Sequence, residues 1–304
     1  MALLYTSEPQ RGAVFAECFA QALPDLPFHI GTAPDPAGVE YLIAWTVPPD
    51  LEEAFPNLRL IFSVGAGVDQ LDLAALPPRV QVVRMLEPGI AQQMREYVTL
   101  ATLALHRDLP LYLGQQREAL WKPGRNRPAA KRRVGVMGLG QLGQAVLDAL
   151  APFGFRLGGW SRGPRKLPGV ETFADLPAFL RRTDILVCLL PLTAETASIL
   201  NAGLFTALPP GAALIHAGRG RQLDQDELLA ALDRGQLSAA WLDVTDPEPL
   251  PREHPLWSHP RVVITPHIAC QTRAAEGAEH VISGIRAHRA GLPIAGLVDR
   301  ERGY

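Results

Sequence analysis

The feature that most constrains this chain is the stretch Val134-Gly135-Val136-Met137-Gly138-Leu139-Gly140-Gln141-Leu142-Gly143. An apolar run ends in Gly138-x-Gly140-x-x-Gly143, and residues 144–150 continue with helical spacing. Strand, glycine turn and helix in direct succession are the parts of a dinucleotide site. Gly138 allows the tight turn, Gly140 lets the backbone approach a pyrophosphate, and Gly143 lets the helix pack close to the strand. The helix N-terminus offers unsatisfied N–H groups to the phosphates. Taken alone, the pattern also fits an ordinary strand-to-helix turn, so the rest of the chain has to decide.

A chain of 304 residues is long enough for two domains with well-buried cores. Its net charge of −2 gives no reason to expect a nucleic-acid partner or an anionic membrane surface. The basic runs 125–127 and 131–133 flank a proline-containing connector and read as a solvated loop. Cys18, Cys188 and Cys270 are far apart and odd in number, which argues against a disulfide framework or a zinc site, so no metal is expected. Cys188 lies within an apolar run and reads as a small buried hydrophobe. The first residues lack the basic start of a signal peptide, and no apolar run reaches the roughly 18 residues of a membrane span. The expectation is a soluble, cytoplasmic protein with no membrane partner.

The first hundred residues alternate between strand and helix patterns. Residues 2–5, 41–47, 58–64 and 80–85 read as strands, and residues 12–23 as a helix with Val14, Cys18, Phe19 and Leu23 on one face. Gly65-Ala66-Gly67-Val68-Asp69 follows the third strand. Consecutive small residues there can present backbone N–H groups to an anion, or can simply turn the chain. Residues 90–113 read as one long helix leading to the second unit. Beyond the glycine turn the alternation resumes, with strands at 155–160, 184–190, 212–216, 239–244 and 262–265 and helical segments at 176–182, 202–208 and 224–234. Asp224 and Glu227 read as a capping box and Gly235 as the stop. A last helix, 272–290, can return to the first unit, which would then be discontinuous. The pattern predicts an α/β chain with a doubly wound parallel sheet and ligands at the C-terminal ends of the strands.

The acidic residue expected about 20 positions after the first glycine, which would accept from the ribose of NAD, is missing. In its place stand Ser161-Arg162-Gly163-Pro164-Arg165-Lys166, whose Ser161, Arg162 and Arg165 can bind a 2′-phosphate, so NADP(H) is preferred and NAD(H) possible. Three further strand ends carry an arginine in Gly218-Arg219-Gly220, a carboxylate in Asp246-Pro247-Glu248-Pro249 and a histidine in Thr265-Pro266-His267. A cation to hold a carbonyl acid, an imidazolium to protonate the carbonyl oxygen, and a carboxylate to orient the imidazole are what a hydride-transfer enzyme needs.

From about residue 60 onward the chain resembles the D-isomer-specific 2-hydroxyacid dehydrogenases, and within them the glyoxylate/hydroxypyruvate reductase A group. The resemblance rests on the glycine-rich 65–69 and 138–143, on Trp160-Ser161-Arg162, and on Leu190-Pro191-Leu192-Thr193-Ala194-Glu195-Thr196. It rests further on Gly218-Arg219-Gly220, Leu242-Asp243-Val244, Glu248-Pro249-Leu250, Pro255-Leu256-Trp257, Thr265-Pro266-His267 and the tail 298–304. The resemblance implies two doubly wound parallel-sheet domains with a cleft between them. Residues 1–98 with 270–304 would form a flavodoxin-like substrate domain, and residues 99–269 a Rossmann-type coenzyme domain.

By the same resemblance Arg219, Glu248 and His267 are catalytic, with His267 the acid–base. Gly138, Leu139, Gly140, Gln141, Leu142, Gly143, Trp160, Ser161, Arg162, Arg165, Leu190, Pro191, Thr196, Ala217, Gly218 and Asp243 bind the coenzyme. Trp45, Ala66 and Gly67 join Arg219 and His267 on the substrate. The family's Asn-x-Ala before Arg-Gly is here His216-Ala217-Gly218. The resemblance implies NADPH-dependent reduction of small 2-oxo acids, glyoxylate and hydroxypyruvate first, by a homodimer. Two alternatives stay open: an NAD-dependent dehydrogenase of another hydroxy acid, and a coenzyme-sensing protein of the same fold that does no chemistry.

Overall fold

The computed structural model describes residues 1–124 and 126–303; Arg125 of the first basic run and Tyr304 of the tail lie outside the described residues. In chain order the elements are β1 (Ala2–Thr6), α1 (Pro9–Ala22), β2 (Phe28–Ile30), β3 (Val39–Ala44), α2 (Leu51–Ala54), β4 (Leu60–Ser63), β5 (Gln81–Val83), α3 (Pro88–His106) and α4 (Leu109–Arg117). Then follow β6 (Arg133–Met137), α5 (Gln141–Leu150), β7 (Arg156–Trp160), β8 (Glu171–Phe173), α6 (Leu176–Leu180), β9 (Ile185–Cys188) and α7 (Ala202–Ala207). The chain continues with β10 (Ala212–His216), α8 (Gln225–Asp233), β11 (Leu237–Leu242), β12 (Val262–Ile264) and α9 (Ala274–Arg289). It divides into two compact units, Met1–Ile90 with Gln271–Tyr304, and Ala91–Cys270.

The first unit holds a five-stranded sheet in the order β2-β1-β3-β4-β5, all parallel. This is the flavodoxin-like order. Leu4, Leu42, Ala44 and Ile61 belong to one buried cluster with Val68, Leu71, Leu76 and Val82. Tyr5 meets Phe15 of α1 at 5.3 Å between ring centroids, and Tyr41 meets His288 of α9 edge-on. The sheet is therefore covered on both faces, and its strands read as near-continuous apolar runs.

Two clasps close this unit. Near its entry into α3, Glu87 is 4 % exposed and its Oε1 accepts from the N–H of Arg273 at 3.0 Å. Glu276 accepts from the N–H of Gly89 at 3.2 Å and pairs with Arg273 at 2.9 Å. At the edge, residues 296–300 run along β5: Arg84 N–H donates to Gly296 O and Val298 N–H to Val82 O, each at 2.9 Å. The Arg300 guanidinium then donates to the carbonyls of Leu73, Leu76 and Pro77.

The second unit holds seven strands in the order β12-β11-β10-β9-β6-β7-β8, all parallel. Successive side chains of a strand point to opposite faces. Leu186 and Cys188 enter one buried cluster with Phe179, Phe205 and Leu228, while Ile185 and Val187 enter the other with Val98, Leu105 and Val146. The chain order reverses between β6 and β9, which leaves a crevice at their C-terminal ends.

Three expectations need correction. The long helix predicted over 90–113 is two helices, α3 and α4, because Pro110 has no N–H for the preceding turn and Asp108 adopts a left-handed φ of 55° between them. The capping box at α8 is half formed: Asp224 accepts from the N–H of Glu227 at 3.0 Å, but Glu227 turns away and accepts from the N–H of Ala202 at the start of α7. The strands β2 and β8 were not foreseen. Both are three-residue edge strands with no fully buried residue, so neither periodicity nor a buried run announces them.

Candidate active site

The second unit gathers its chemistry at the C-terminal ends of six neighbouring strands. At the end of β6 Gly138 has φ +102°, and a Cβ there would sit 2.8 Å from the carbonyl oxygen of Leu189. Gly143, in the first turn of α5, packs so close that a Cβ would lie 1.9 Å from the carbonyl oxygen of Gly138. Gly140 differs: it caps α5 without a side-chain bond, and nothing lies within 4 Å of where its Cβ would be. Two glycines are therefore needed for packing, while the third opens backbone and a helix N-terminus to whatever occupies the crevice. A pyrophosphate fits this cradle. Leu139 is buried beneath it, Leu142 half-buried and Gln141 exposed.

Beside the turn, at the end of β7, Trp160 is spent on the core: its indole donates to Ala174 O at 3.1 Å. The Ser161 hydroxyl donates to Gly163 O at 2.8 Å. Arg162 and Arg165 are exposed, and Arg162 lies 3.8 Å from Glu195 of the loop after β9. That loop is wired internally: the Thr196 hydroxyl donates to Pro191 O at 2.6 Å and accepts from Thr193 N–H at 2.8 Å.

The next strand, β10, delivers Arg219. Sequence reasoning missed what holds it. Gln222, fully buried, accepts from the N–H of Arg219 at 2.8 Å and donates to the carbonyls of Leu190 and Pro191. His216 Nε2 meets the carbonyl oxygen of Arg219 at 2.9 Å. One buried amide thus ties the arginine loop to the loop that starts at Leu190. Burial pushes His216 down to about 4, so the ring is neutral and stays in the core. Ala217 and Gly218 line the same turn, and a Cβ on Gly218 would lie 3.2 Å from Leu190 O. No signal in the sequence distinguishes Gln222 from an ordinary polar residue after a glycine turn.

The last two strands bring the carboxylates and the histidine together. Glu248 accepts from Thr245 N–H at 3.2 Å through Oε1 and meets His267 Nδ1 at 2.8 Å through Oε2. Both side chains are 39 % exposed. His267 has φ 53°, a left-handed conformation costing about 1 kcal/mol or more for a residue with a side chain. Asp243, 2 % exposed, holds that turn: Oδ1 accepts from Thr265 Oγ1 at 2.7 Å and Ile268 N–H at 2.9 Å, and Oδ2 from Ala269 N–H at 2.8 Å. Oδ1 is saturated, so Oδ2 keeps the carboxylate's remaining acceptor capacity.

In the first unit Trp45 is 42 % exposed, and its ring lies 3.2 Å from where a Cβ on Gly65 would be. Ser63, fully buried, accepts from Gly65 N–H at 3.2 Å and donates to Gly67 O at 2.9 Å, which fixes the turn. Among the described residues the N–H groups of Ala66 and Gly67 meet no acceptor. Arg11, unremarked in the sequence, donates to Val64 O at 3.0 Å beside that turn. Among the described residues there is no cluster of metal-ligating side chains, and no helix is long and apolar enough to cross a membrane.

Residues 99–269 match the family model for the NAD-binding domain of D-isomer specific 2-hydroxyacid dehydrogenases. The chain is 41 % identical over 279 residues to a glyoxylate/hydroxypyruvate reductase A of Yersinia enterocolitica, covering 89 % of each chain. It is 37 % identical to one of Salmonella newport over the whole of both. It is also similar to the crystal structure of a D-isomer specific 2-hydroxyacid dehydrogenase from Xanthobacter autotrophicus Py2 in complex with NADPH and MES. The TM-score there is 0.93 at 39 % identity, covering 100 % of this chain and 99 % of that one. A crystal structure of an NADPH-dependent glyoxylate/hydroxypyruvate reductase from Sinorhizobium meliloti with NADP and sulfate gives 0.91 at 36 % identity over the whole of both chains. A glycine cradle at the switch point, a His–Glu pair from the two strands next to the arginine's, and this likeness over the whole chain agree: the chain belongs to the D-isomer specific 2-hydroxyacid dehydrogenases.

Proposed function

We propose that this chain is an NADPH-dependent reductase of small 2-oxo acids, converting glyoxylate to glycolate and hydroxypyruvate to D-glycerate. The observation that carries the chemistry is the 2.8 Å contact between His267 Nδ1 and Glu248. With Nδ1 given to the carboxylate, the proton that moves is the one on Nε2. Arg219 holds the substrate carboxylate and turns the carbonyl towards His267. The reduced nicotinamide, when bound, supplies the hydride. His267 gives its Nε2 proton to the carbonyl oxygen, and Glu248 stabilises the ring while it is charged. Residues 138–143 would hold the coenzyme's pyrophosphate, with Leu190, Pro191, Thr196, Ala217 and Gly218 beside it, and Asp243 Oδ2, which accepts from Ala269 N–H, would offer its remaining acceptor capacity to the nicotinamide amide. Ser161, Arg162 and Arg165 take the 2′-phosphate, and Trp160 contributes only backbone. Trp45 and the unpaired N–H groups of Ala66 and Gly67 serve the substrate.

The protein acts in the cytoplasm as a homodimer. The support is an exposed apolar stretch in and after α4, where Leu109, Leu111, Tyr112, Leu113 and Leu120 are 36–48 % exposed and Trp121 is 99 % exposed. A dimer interface would bury such a surface; a monomeric mass in sedimentation would exclude it. The first test of function follows absorbance of NADPH and of NADH with glyoxylate and with hydroxypyruvate. Rapid loss of NADPH and slow loss of NADH is expected. His267→Ala should lose turnover while still binding NADPH, and an active variant would remove His267 from its role.

A further inference from the structure

We infer that Tyr97 of α3 and Trp241 of β11 are positioning residues for His267, acting on it through Thr265 and Asp243. The inference rests on His267 as the proton donor and deepens that reading. Four side chains, all within the second unit, form one chain of hydrogen bonds: Trp241 Nε1 to Tyr97 OH at 2.9 Å, Tyr97 OH to Thr265 Oγ1 at 2.5 Å, and Thr265 Oγ1 to Asp243 Oδ1 at 2.7 Å. The direction of every proton is forced. An indole N–H only donates, so the Tyr97 oxygen accepts from Trp241. Both oxygens of Asp243 already accept backbone N–H groups, so Thr265 gives its single hydroxyl proton to the carboxylate. The Thr265 oxygen then accepts from Tyr97, which has one proton to give. The polarity runs from Trp241 to Asp243 without a break.

Three of the four side chains are buried, with Trp241 8 %, Tyr97 9 % and Asp243 2 % exposed, and Thr265 is half-buried. In such surroundings linked hydrogen bonds polarise one another, and a missing partner is not replaced by water. Burial also pushes the Tyr97 hydroxyl well above the usual phenol range, so it remains a donor. At the far end stands the turn that carries His267. The His267 N–H donates to Asp243 O at 2.8 Å, and the Asp243 side chain holds the N–H groups on either side of the turn's exit. A histidine in a left-handed conformation relaxes if that hold weakens, and with it the aim of Nε2. Packing alone would not need this chain: the ring of Tyr97 fills its place with or without its oxygen.

The test removes that oxygen. Tyr97→Phe is expected to fold, to lower kcat about tenfold or more through a misaimed proton donor, and to leave the KM for NADPH within about twofold. The solvent isotope effect on kcat should rise, because proton transfer becomes the slow step. Thr265→Val cuts the same chain and should reproduce both changes. Thr265→Ser, which keeps the hydroxyl, should recover most of the lost turnover. The pair at Thr265 answers the question if Tyr97→Phe does not fold. Unchanged kcat and isotope effect in Tyr97→Phe, or in Thr265→Val, would overturn the inference, as would a loss confined to the KM for NADPH. His267→Ala separates the two levels: if it is active, the proton donor is wrong and the inference falls with it. If it is inactive while Tyr97→Phe behaves like the parent, only the inference falls.

Discussion

Replacing Glu87 by glutamine should stabilise the protein in alkali and destabilise it in acid. Glu87 lies at the clasp beside Gly89, 4 % exposed and beside Glu276. Burial first, and then the neighbouring Glu276 carboxyl, push it up to about 7 from 4.5, while Glu276 is held low by Glu87 and Arg273. The two carboxyl groups share one proton, and Glu87 carries it. Between pH 4.5 and about 7 the folded chain holds a proton that the unfolded chain has released, so stability falls as pH rises through this window. Above it the buried charge has to be borne in full. At about 1.36 kcal/mol per pKa unit the shift amounts to about 3 kcal/mol. A glutamine recovers less than that, because its amide must replace both the contact to Glu276 and the acceptor for Arg273 N–H. We expect a net gain of about 1–2 kcal/mol near pH 8.5, a rise in Tm of about 2–3 °C. Near pH 5, where the parent's Glu87 is already protonated, only the glutamine's shortfall remains, and the variant should be less stable than the parent by about 1–2 kcal/mol. Thermal unfolding of both proteins, followed by circular dichroism across this range without coenzyme, reads the difference. An equal effect at both ends of the range, or a loss at about pH 8.5, would refute the shared proton.

Further outcomes follow from the same structure. Gly140→Ala should keep the parent's Tm, since nothing lies within 4 Å of the new methyl, yet raise the KM for NADPH about tenfold or more by obstructing the pyrophosphate. Gly143→Ala should instead cost more than about 3 kcal/mol, because its methyl meets the Gly138 carbonyl at 1.9 Å; thermal melts and coenzyme titrations separate the two. His216→Asn should flatten the acid limb of stability. The histidine is held at about 4 against 6.5 when unfolded, so stability falls as pH drops through that window, by up to about 3 kcal/mol, and an asparagine does not titrate. Urea unfolding at about pH 7 and pH 4.5 measures it.

How much of this was legible in the sequence depends on what each residue does. The glycine turn could be read because three backbone demands fall at fixed spacing, and two of them are visible as carbonyl contacts that no side chain could share. The parallel strands could be read because burial on both faces leaves apolar runs such as 185–188. The edge strands Phe28–Ile30 and Glu171–Phe173 could not, since an edge strand of three residues has no periodicity to show. Arg219, Glu248 and His267 stood out as polar residues at strand ends. Their supports did not: Gln222, Tyr97 and Thr265 act through partners tens to more than a hundred residues away, and nothing local marks them. Glu227 misled for a related reason, because its carboxylate found a better donor on a helix 25 positions earlier than on its own.

The strap of residues 296–300 along β5 has a consequence for how the molecule is made. The open edge of the first sheet is sealed by segments synthesised after the whole of Ala91–Cys270. On the ribosome the second unit is contiguous and can fold as it emerges, whereas the first ninety residues must wait for the last. Until then β5 presents unpaired backbone groups, the template on which chains pair with one another. A truncation before Gly296 should therefore show itself as poor yield and aggregation during synthesis, while the coenzyme unit, complete in itself, still folds.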